Sequence, residues 1–267
     1  MAIWWFEFRV WSVIPLYIFI IYIKMENIFF NGGGFSGFFE HVGAINYIRE
    51  NNLSFNKYYG VSAGVSAIIM LLLEYDIDDF ISFLDNIYEG QILGKKIDIS
   101  DIHIKCINYG IKRHPDAYKI LSNTLFIGIT TSNGFVWKSE FTSNIELANA
   151  CLCSANIPIL SSYRATIDNM PTLDGGFGCM KTHLPNNVIT VSTTIYFPLC
   201  MIYPSSYIIR QLYIANGYVN MKYFRRESTL SSNLWGHPLL INIVFCIDNL
   251  LPKEKSITDL DHFHKYI

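Results

Sequence analysis

Three glycine-rich segments, each directly after a short apolar run, constrain this sequence more than any other feature. They are residues 32–37 (GGGFSG), 60–64 (GVSAG) and 174–176 (DGG). The first two follow residues typical of strands and precede apolar helical patterns, so the chain begins β–turn–α–β–turn–α. This order predicts an α/β fold in which helices cover a parallel sheet.

Apolar periodicity extends the prediction along the chain. Phe39, Val42, Ile45 and Ile48 form one stripe of a helix expected at 38–51. Strands are expected at 27–31, 57–59 and 188–194, an extended segment at 165–173, and a hairpin of 124–130 and 135–139 around Asn133-Gly134. Helices are expected at 63–75 and 145–154, and the tail beyond 203 is mainly helical. The stretch 76–110 is mostly helical, with breaks marked by Gly90, Gly94 and Pro115.

The composition fits one large domain. The chain has 267 residues, of which 51% are hydrophobic and 16% charged, so it can bury a sizeable core. We assign residues 25–200 to this domain and residues 201–267 to a mainly helical C-terminal part of it. The net charge of −2 gives no reason to expect a nucleic-acid partner.

Residues 1–24 form a hydrophobic extension with two interpretations. The run 10–23 carries no charge and lies between Arg9 and Lys24. As a helix it would be about 21 Å long, shorter than the ~30 Å hydrocarbon core of a membrane. No small-residue cleavage site follows it, which argues against a removed signal peptide. The extension is either a membrane anchor or interfacial segment, or a dispensable addition to a domain that begins at Met25.

The cysteines suggest neither a metal site nor a disulfide framework. Their positions are 106, 151, 153, 179, 200 and 246, and the spacing matches no ligand or bridge pattern. Cys151 and Cys153 are expected to pack inside a buried helix. This usage favours a reducing, intracellular location.

Ser62 is the candidate nucleophile. Gly60 and Gly64 bracket it in a Gly-x-Ser-x-Gly turn between a strand and a helix, where a strained backbone requires small neighbours. The following helix directs its positive end at the site. The alternative is a glycine-rich turn with a structural serine. Ser66, one turn later, is interpreted as a residue of the helix face.

The first glycine segment predicts an oxyanion hole. Gly32, Gly33 and Gly34 can bring backbone N–H groups close to a tetrahedral intermediate without a side chain in the way. The pattern also matches a dinucleotide-binding loop, but that site needs an acid after the second strand, and residues 57–60 offer none. A tight strand–helix turn is the remaining alternative.

Asp174 is the candidate base. It ends an extended run, and Gly175 and Gly176 let its carboxylate turn toward a neighbouring strand end. A carboxylate within hydrogen-bond reach can accept the serine proton directly. The alternatives are a simple Asp-Gly-Gly turn and, as base, His183; His41 is interpreted as a half-buried helix residue.

These residues resemble the patatin-like phospholipase family, and the segment 32–43 is similar to its adiponutrin-type branch, where a glycine turn precedes Phe-x-Gly and then His-Val-Gly. The similarity runs from about residue 27 to residue 193. Two features depart from the family pattern: Ser36 replaces a residue that is often basic, and the Asn-x-Pro after Asp-Gly-Gly is missing. The other matching pieces are 60–64, Ala150-Cys151, Ile157-Pro158 and 174–176.

The resemblance implies a three-layer α/β/α sandwich with a mainly parallel central sheet. It further implies lipid ester hydrolysis by a Ser62–Asp174 dyad without metal or cofactor, with Gly32, Gly33 and Gly34 as the oxyanion hole and the Ala63 N–H as a further donor. Gly37, Gly60, Gly64, Gly175 and Gly176 complete the motifs.

The expected partners are a phospholipid or acylglycerol substrate and a membrane or lipid-droplet surface. The alternative function is a catalytically weak lipid-binding protein that keeps the fold. A serine peptidase or another esterase on the same scaffold is a third interpretation.

Overall fold

The two strands predicted before the first two glycine-rich segments lie side by side in one mixed sheet. A computed structural model describes residues 27–93, 98–158, 160–193, 206–223 and 255–256. Its strands are β1 (Asn27–Phe30), β2 (Tyr58–Gly60), β3 (Leu125–Thr131), β4 (Gly134–Lys138), β5 (Tyr163–Arg164), β6 (Thr166–Ile167), β7 (Met170–Leu173), β8 (Val188–Val191) and β9 (Lys255–Ser256). Its helices are α1 (Gly34–Glu50), α2 (Ala63–Leu72), α3 (Ile77–Leu93), α4 (Ile99–Arg113), α5 (Ala117–Leu121), α6 (Asn144–Ser154), α7 (Gly175–Gly178) and α8 (Tyr207–Lys222), with a 3-10 turn at Lys181–His183.

The sheet has seven strands, in the order β6-β7-β3-β2-β1-β8, with β4 also paired to β3. β8, β1, β2 and β3 run parallel to one another, as the β–turn–α pattern predicts. β4, β6 and β7 add antiparallel pairings, and the predicted hairpin at Asn133-Gly134 joins β3 to β4. The centre of the sheet is therefore parallel, and its antiparallel part is built around β3.

Helices lie on both sides of the sheet, which makes the fold a three-layer α/β/α arrangement. Ile28 and Phe30 of β1 point into a large apolar cluster shared with α1 to α6 and α8, and the predicted stripe of α1 is buried there. Phe29, between them, points to the opposite face. A smaller cluster on that face includes Cys179 and Leu184, which flank the 3-10 turn.

Several helix boundaries differ from the sequence prediction; α2 ends at Leu72, three residues before the expected end, and α4 continues to Arg113, three residues beyond it. α1 begins at Gly34, four residues before the expected start, because a helix tolerates glycine in its first turn, where the N–H groups have no helical partner. α3 continues through Gly90 to Leu93. A single glycine costs a helix only about 1 kcal/mol, and Phe80, Leu84 and Tyr88 of α3 are buried in the core.

The predicted helical tail contributes α8, which packs along α1. Asn216 donates a hydrogen bond to Glu40, and the rings of Tyr47 and Tyr218 meet edge to face at 5.3 Å. The hydrophobic extension 1–24, Cys200, Cys246 and most of the tail lie outside the described residues. None of the described helices combines the length and the apolar character needed to cross a membrane.

Candidate active site

Two strand ends meet on one edge of β3. β4 occupies the other edge, so β2 and β7 share this one. β2 runs parallel to β3 and ends at Gly60, whereas β7 runs antiparallel and ends at Leu173. The strands therefore point toward each other. The residues that follow them, Ser62 and Asp174, converge beside the middle of β3.

The backbone at Ser62 has the strained conformation expected of a nucleophile turn, with φ 53° and ψ −126°. Its N–H donates to the Ser154 hydroxyl at 2.9 Å, and that hydroxyl donates to the carbonyl of Gly128 at 2.7 Å. Ser154 is the last residue of α6 and is fully buried. A bridge from α6 to β3 thus holds the turn, and no sequence pattern indicates this bridge beyond the predicted end of that helix.

The glycines that flank Ser62 lie where little space remains. A side chain at Gly64 would collide with the carbonyl groups of Phe30 and Asn31, at the end of β1. A Cβ at Gly60 would lie 2.7 Å from Cδ1 of Ile68. Both agree with the expectation that the turn needs small neighbours.

The first glycine segment lies against Ser62. A Cβ on Gly32 would stand 3.4 Å from the Ser62 Cβ and 3.9 Å from its Oγ. Gly33 has φ 150° and is packed so closely that a Cβ would lie 2.7 Å from Oγ1 of Thr193. Within the described part of the chain, the N–H groups of Gly32 and Gly33 make no backbone hydrogen bond. They are available to an oxyanion, as is the Ala63 N–H at the start of α2.

Thr193 and His41 fix the direction of those N–H groups. The Thr193 hydroxyl faces the Gly32 carbonyl at 2.9 Å and Oδ1 of Asn31 at 3.1 Å, and Nε2 of His41 lies 2.7 Å from the Asn31 carbonyl. In a trans peptide the N–H points away from the preceding carbonyl. Holding the carbonyls of Asn31 and Gly32 therefore sets the N–H groups of Gly32 and Gly33.

His41 differs from its sequence interpretation as a half-buried helix residue. Its side chain has 0% exposure, and burial lowers its pKa to about 4, so the ring is neutral. The bond to a carbonyl requires Nε2–H, which leaves Nδ1 bare and, among the described residues, without a partner. Thr193 was missed, although it follows β8 at the carboxyl end of the parallel strands, where functional residues concentrate.

Asp174 is clamped through its backbone. Its N–H donates to the carbonyl of Asn156 at 2.7 Å, and its own carbonyl accepts from the Thr130 hydroxyl at 2.9 Å. The same hydroxyl accepts from the Gly178 N–H at 2.9 Å, so β3 holds the loop without the Asn-x-Pro segment. A side chain at Gly175 would strike the backbone of β3.

The Asp174 carboxylate is buried beside Ser62. Burial raises its pKa to about 6, and the Ser62 hydroxyl and the Gly176 N–H oppose that rise. Oδ1 accepts from the Gly176 N–H at 2.8 Å. Oδ2 has no partner with full hydrogen-bond geometry among the described residues, so its contact with the serine is a loose one. Such contacts commonly tighten only when substrate binds.

His183, the alternative base, is engaged elsewhere. Its ring stacks on Phe135 of β4 with centroids 4.8 Å apart, and Nδ1 accepts from the Met180 N–H at 3.0 Å. Phe135 packs on the cluster at the far face of the sheet, so these contacts give no support to a role as base.

The cysteines of the described segments are free and buried. Cys151 and Cys153 lie within α6 and belong to the core, as expected from their spacing. In the described segments no three His, Cys, Asp or Glu side chains gather closely enough to hold a metal ion.

An apolar cavity opens beside Ser62. Together with its open mouth it holds about 520 Å³. Ser62, Ser66, His103 and Tyr88 are the lining residues with a hydroxyl or imidazole group. The other lining residues are Gly34, Phe35, Phe38, Ala63, Phe80, Leu84, Ile99, Ile102, Cys106, Ala155 and Ile157.

Comparison with known proteins gives one distant relative. No protein-family model matches the chain. It is 26% identical over 183 residues to human omega-hydroxyceramide transacylase, a patatin-like protein. The match covers 63% of this chain and 34% of the human protein, so the chain spans about a third of that relative. The chain is thus distantly similar to a patatin-like protein, in agreement with its three-layer fold.

Proposed function

We propose that this protein is a lipid acyl hydrolase, a phospholipase A or acylglycerol lipase of lipid catabolism, that works through Ser62 and Asp174. The convergence of a strained serine turn with a buried carboxylate carries the proposal. The unpaired glycine N–H groups and the apolar cavity at the same point support it.

In the proposed first half-reaction, the Ser62 Oγ attacks the ester carbonyl carbon while the Asp174 carboxylate accepts the hydroxyl proton. The N–H groups of Gly32, Gly33 and Gly34, with that of Ala63 as a further donor, stabilise the oxyanion of the tetrahedral intermediate. The ester C–O bond then breaks, and the leaving alkoxide takes the proton from Asp174. An alcohol departs, and the acyl group stays on Ser62.

In the second half-reaction, water attacks the acyl-enzyme and gives its proton to Asp174. The Ser62 oxygen leaves and recovers that proton, so free fatty acid is released and the dyad is restored. An alcohol in place of water would yield a new ester instead. The name of the human relative makes such transfer a natural second outcome of the same chemistry.

The composition of the cavity wall supports a lipid as the substrate. Aromatic and aliphatic side chains surround the space beside Ser62, and they match an acyl chain better than a peptide or a water-soluble ester. A membrane or lipid-droplet surface and an intracellular location belong to the same proposal, because the substrate resides in such surfaces.

The test is release of fatty acid from phospholipid and triacylglycerol emulsions by the full chain. Wild-type protein is expected to release fatty acid and to react with a fluorophosphonate probe at Ser62, and Ser62→Ala is expected to do neither. Release that persists in folded Ser62→Ala would refute the mechanism.

A catalytically weak lipid-binding protein is the second candidate. Oδ2 of Asp174 has no hydrogen-bond partner among the described residues, and a base that does not hold the Ser62 hydroxyl favours this candidate. Binding of phospholipid vesicles by folded wild-type protein, with neither fatty-acid release nor probe labelling, would establish this alternative.

A further inference from the structure

A second polar pair, Ser66 and His103, lies in the wall of the apolar cavity. Ser66 follows Ser62 by one turn of α2, and His103 faces it from α4. The Ser66 Oγ lies 3.4 Å from Nδ1 of His103. Phe80 and Ile102 are among the apolar residues that line the same space. The proposed acylation chemistry uses neither member of the pair.

His103 is neutral in this position. Desolvation lowers its pKa to about 4, so one ring nitrogen carries hydrogen and the other is bare. Ser66 engages Nδ1, and the half-buried ring of His103 lines the cavity. A polar group beside apolar walls costs free energy unless a partner satisfies it. A bound ligand can supply that partner.

We propose that Ser66 and His103 form a subsite for a hydroxyl group of the lipid, carried either by the acyl chain or by the alcohol that accepts the acyl group. The inference rests on the proposed function, because it places this hydroxyl in the cavity that holds the ester. A hydroxyl both donates and accepts, so it suits either tautomer of His103. A carboxylate does not, since its charge would be desolvated among apolar side chains.

The position of the pair limits where the hydroxyl can lie. Four residues of α-helix rise about 6 Å, so Ser66 lies about that far from Ser62 along α2. The pair would therefore bind a hydroxyl on a carbon of the acyl chain close to the ester, and not one at the far end of a long chain. An acceptor alcohol would lie within reach of the acyl-enzyme.

Binding to full-length Ser62→Ala tests the subsite without turnover. The probes are methyl palmitate and methyl palmitates hydroxylated at successive carbons, competing with a fluorescent fatty ester. One hydroxylated isomer is expected to bind about tenfold more tightly than methyl palmitate. Adding His103→Leu should remove that preference, whereas His103→Gln should restore part of it. Ile107→Val, in the core on the same helix but outside the cavity wall, should leave it unchanged.

A transfer assay distinguishes the two sources of the hydroxyl. Wild-type protein is supplied with p-nitrophenyl palmitate and 1-hexadecanol, and the ratio of hexadecyl palmitate to free palmitate is measured. A ratio that falls about tenfold in His103→Leu, without a binding preference among the methyl esters, assigns the subsite to the acceptor alcohol. An unchanged ratio with a clear preference assigns it to the acyl chain.

The outcomes separate this inference from the proposed function. If folded His103→Leu and Ser66→Ala match their parent proteins in both assays, the hydroxyl subsite is refuted, whether or not Ser62 hydrolyses esters. If selective binding depends on His103 but wild-type protein releases no fatty acid, the subsite stands and the hydrolase proposal fails.

Discussion

Ser62 and Ser66 lie one helical turn apart, and each stands beside a titratable group that burial pushes toward its neutral form. Asp174 beside Ser62 has its pKa raised to about 6, and His103 beside Ser66 has its pKa lowered to about 4. Both serines line the same cavity. On side-chain chemistry alone, Ser66 with its imidazole partner looks the more conventional nucleophile.

The backbone conformation and the neighbouring N–H donors distinguish Ser62 from Ser66. Ser62 precedes α2 at φ 53°, at the positive end of the helix. The adjacent N–H groups of Gly32, Gly33 and Ala63 make no backbone hydrogen bond within the described segments. Ser66 lies inside the regular helix, where N–H groups are used in helical hydrogen bonds. A serine here can be a nucleophile only where the oxyanion would find donors. The comparison therefore assigns chemistry to Ser62 and recognition to Ser66.

Replacing each serine by alanine should give the largest contrast. Ser62→Ala is expected to lower ester hydrolysis by at least about 10³-fold, because it removes the group that bonds to the acyl carbon. Ser66→Ala should retain hydrolysis of unsubstituted esters within about threefold. Fluorophosphonate labelling with mass spectrometry checks both, and labelling at Ser66 would reverse the assignment.

Asp174→Asn should lower activity by about 10²–10⁴-fold, the range of general-base catalysis. Below pH 6 the wild-type rate should fall about tenfold per pH unit, because the base must be ionised. Asp116→Asn, at an exposed surface ion pair, is the control and should keep the wild-type profile. A flat profile between pH 4 and 7 would contradict the role of Asp174.

The same variant should gain stability, and the size of the gain depends on pH. The folded pKa of Asp174, about 6, exceeds the ordinary value of 3.8, so folding favours the protonated form. The resulting stabilisation of the folded state is complete below pH 3.8 and is lost as the pH rises through 6. At pH 8, Asp174→Asn should be more stable by up to about 3 kcal/mol, and at pH 4 nearly equal to wild type. Urea unfolding at the two pH values measures this difference.

Ser154→Ala should have an intermediate effect. It leaves the Ser62 N–H and the Gly128 carbonyl without the hydroxyl that joins them, which should cost about 1–3 kcal/mol of stability and about tenfold in kcat. Ser161→Ala, at a buried serine that accepts a backbone N–H at 3.2 Å, is the matched control. Equal kcat losses in both would mean that Ser154 acts only on stability.

Thr193→Val should give the smallest effect. It keeps the shape that packs against Gly33 but removes the hydroxyl that faces the Gly32 carbonyl, so the oxyanion donors lose part of their alignment. We expect kcat to fall about fivefold with KM unchanged, because the N–H groups act on the transition state. A change confined to KM would contradict this account.

Sequence reasoning reached the features that local pattern encodes. The glycine segments and apolar periodicity predicted β1, β2, the hairpin of β3 and β4, and the buried stripe of α1. They placed the candidate nucleophile on a strand–helix turn and the candidate base at the end of an extended run. Each of these depends on residues close together in the chain.

The groups that sequence reasoning missed depend on distant parts of the chain. Ser154 reaches Ser62, Thr193 reaches Gly32, and His103 reaches Ser66 only once the sheet and its helices have packed. Such partners carry no periodicity of their own, and a buried serine at a helix end looks like any other. The position of Thr193 at the carboxyl end of a parallel strand was the one usable signal.

Strand β3 sets the distance between the two halves of the candidate site. Its sequence LFIGITT contributes no charged side chain, yet β2 ends opposite Ile127 and β7 ends opposite Thr130 on the same edge. The length of β3 between those pairings sets the gap from nucleophile to base. Each strand residue spans about 3.3 Å, more than the length of a hydrogen bond. A shift of either pairing by one residue of β3 would therefore change the spacing of Ser62 and Asp174 by about one residue length, although β3 takes no part in the chemistry.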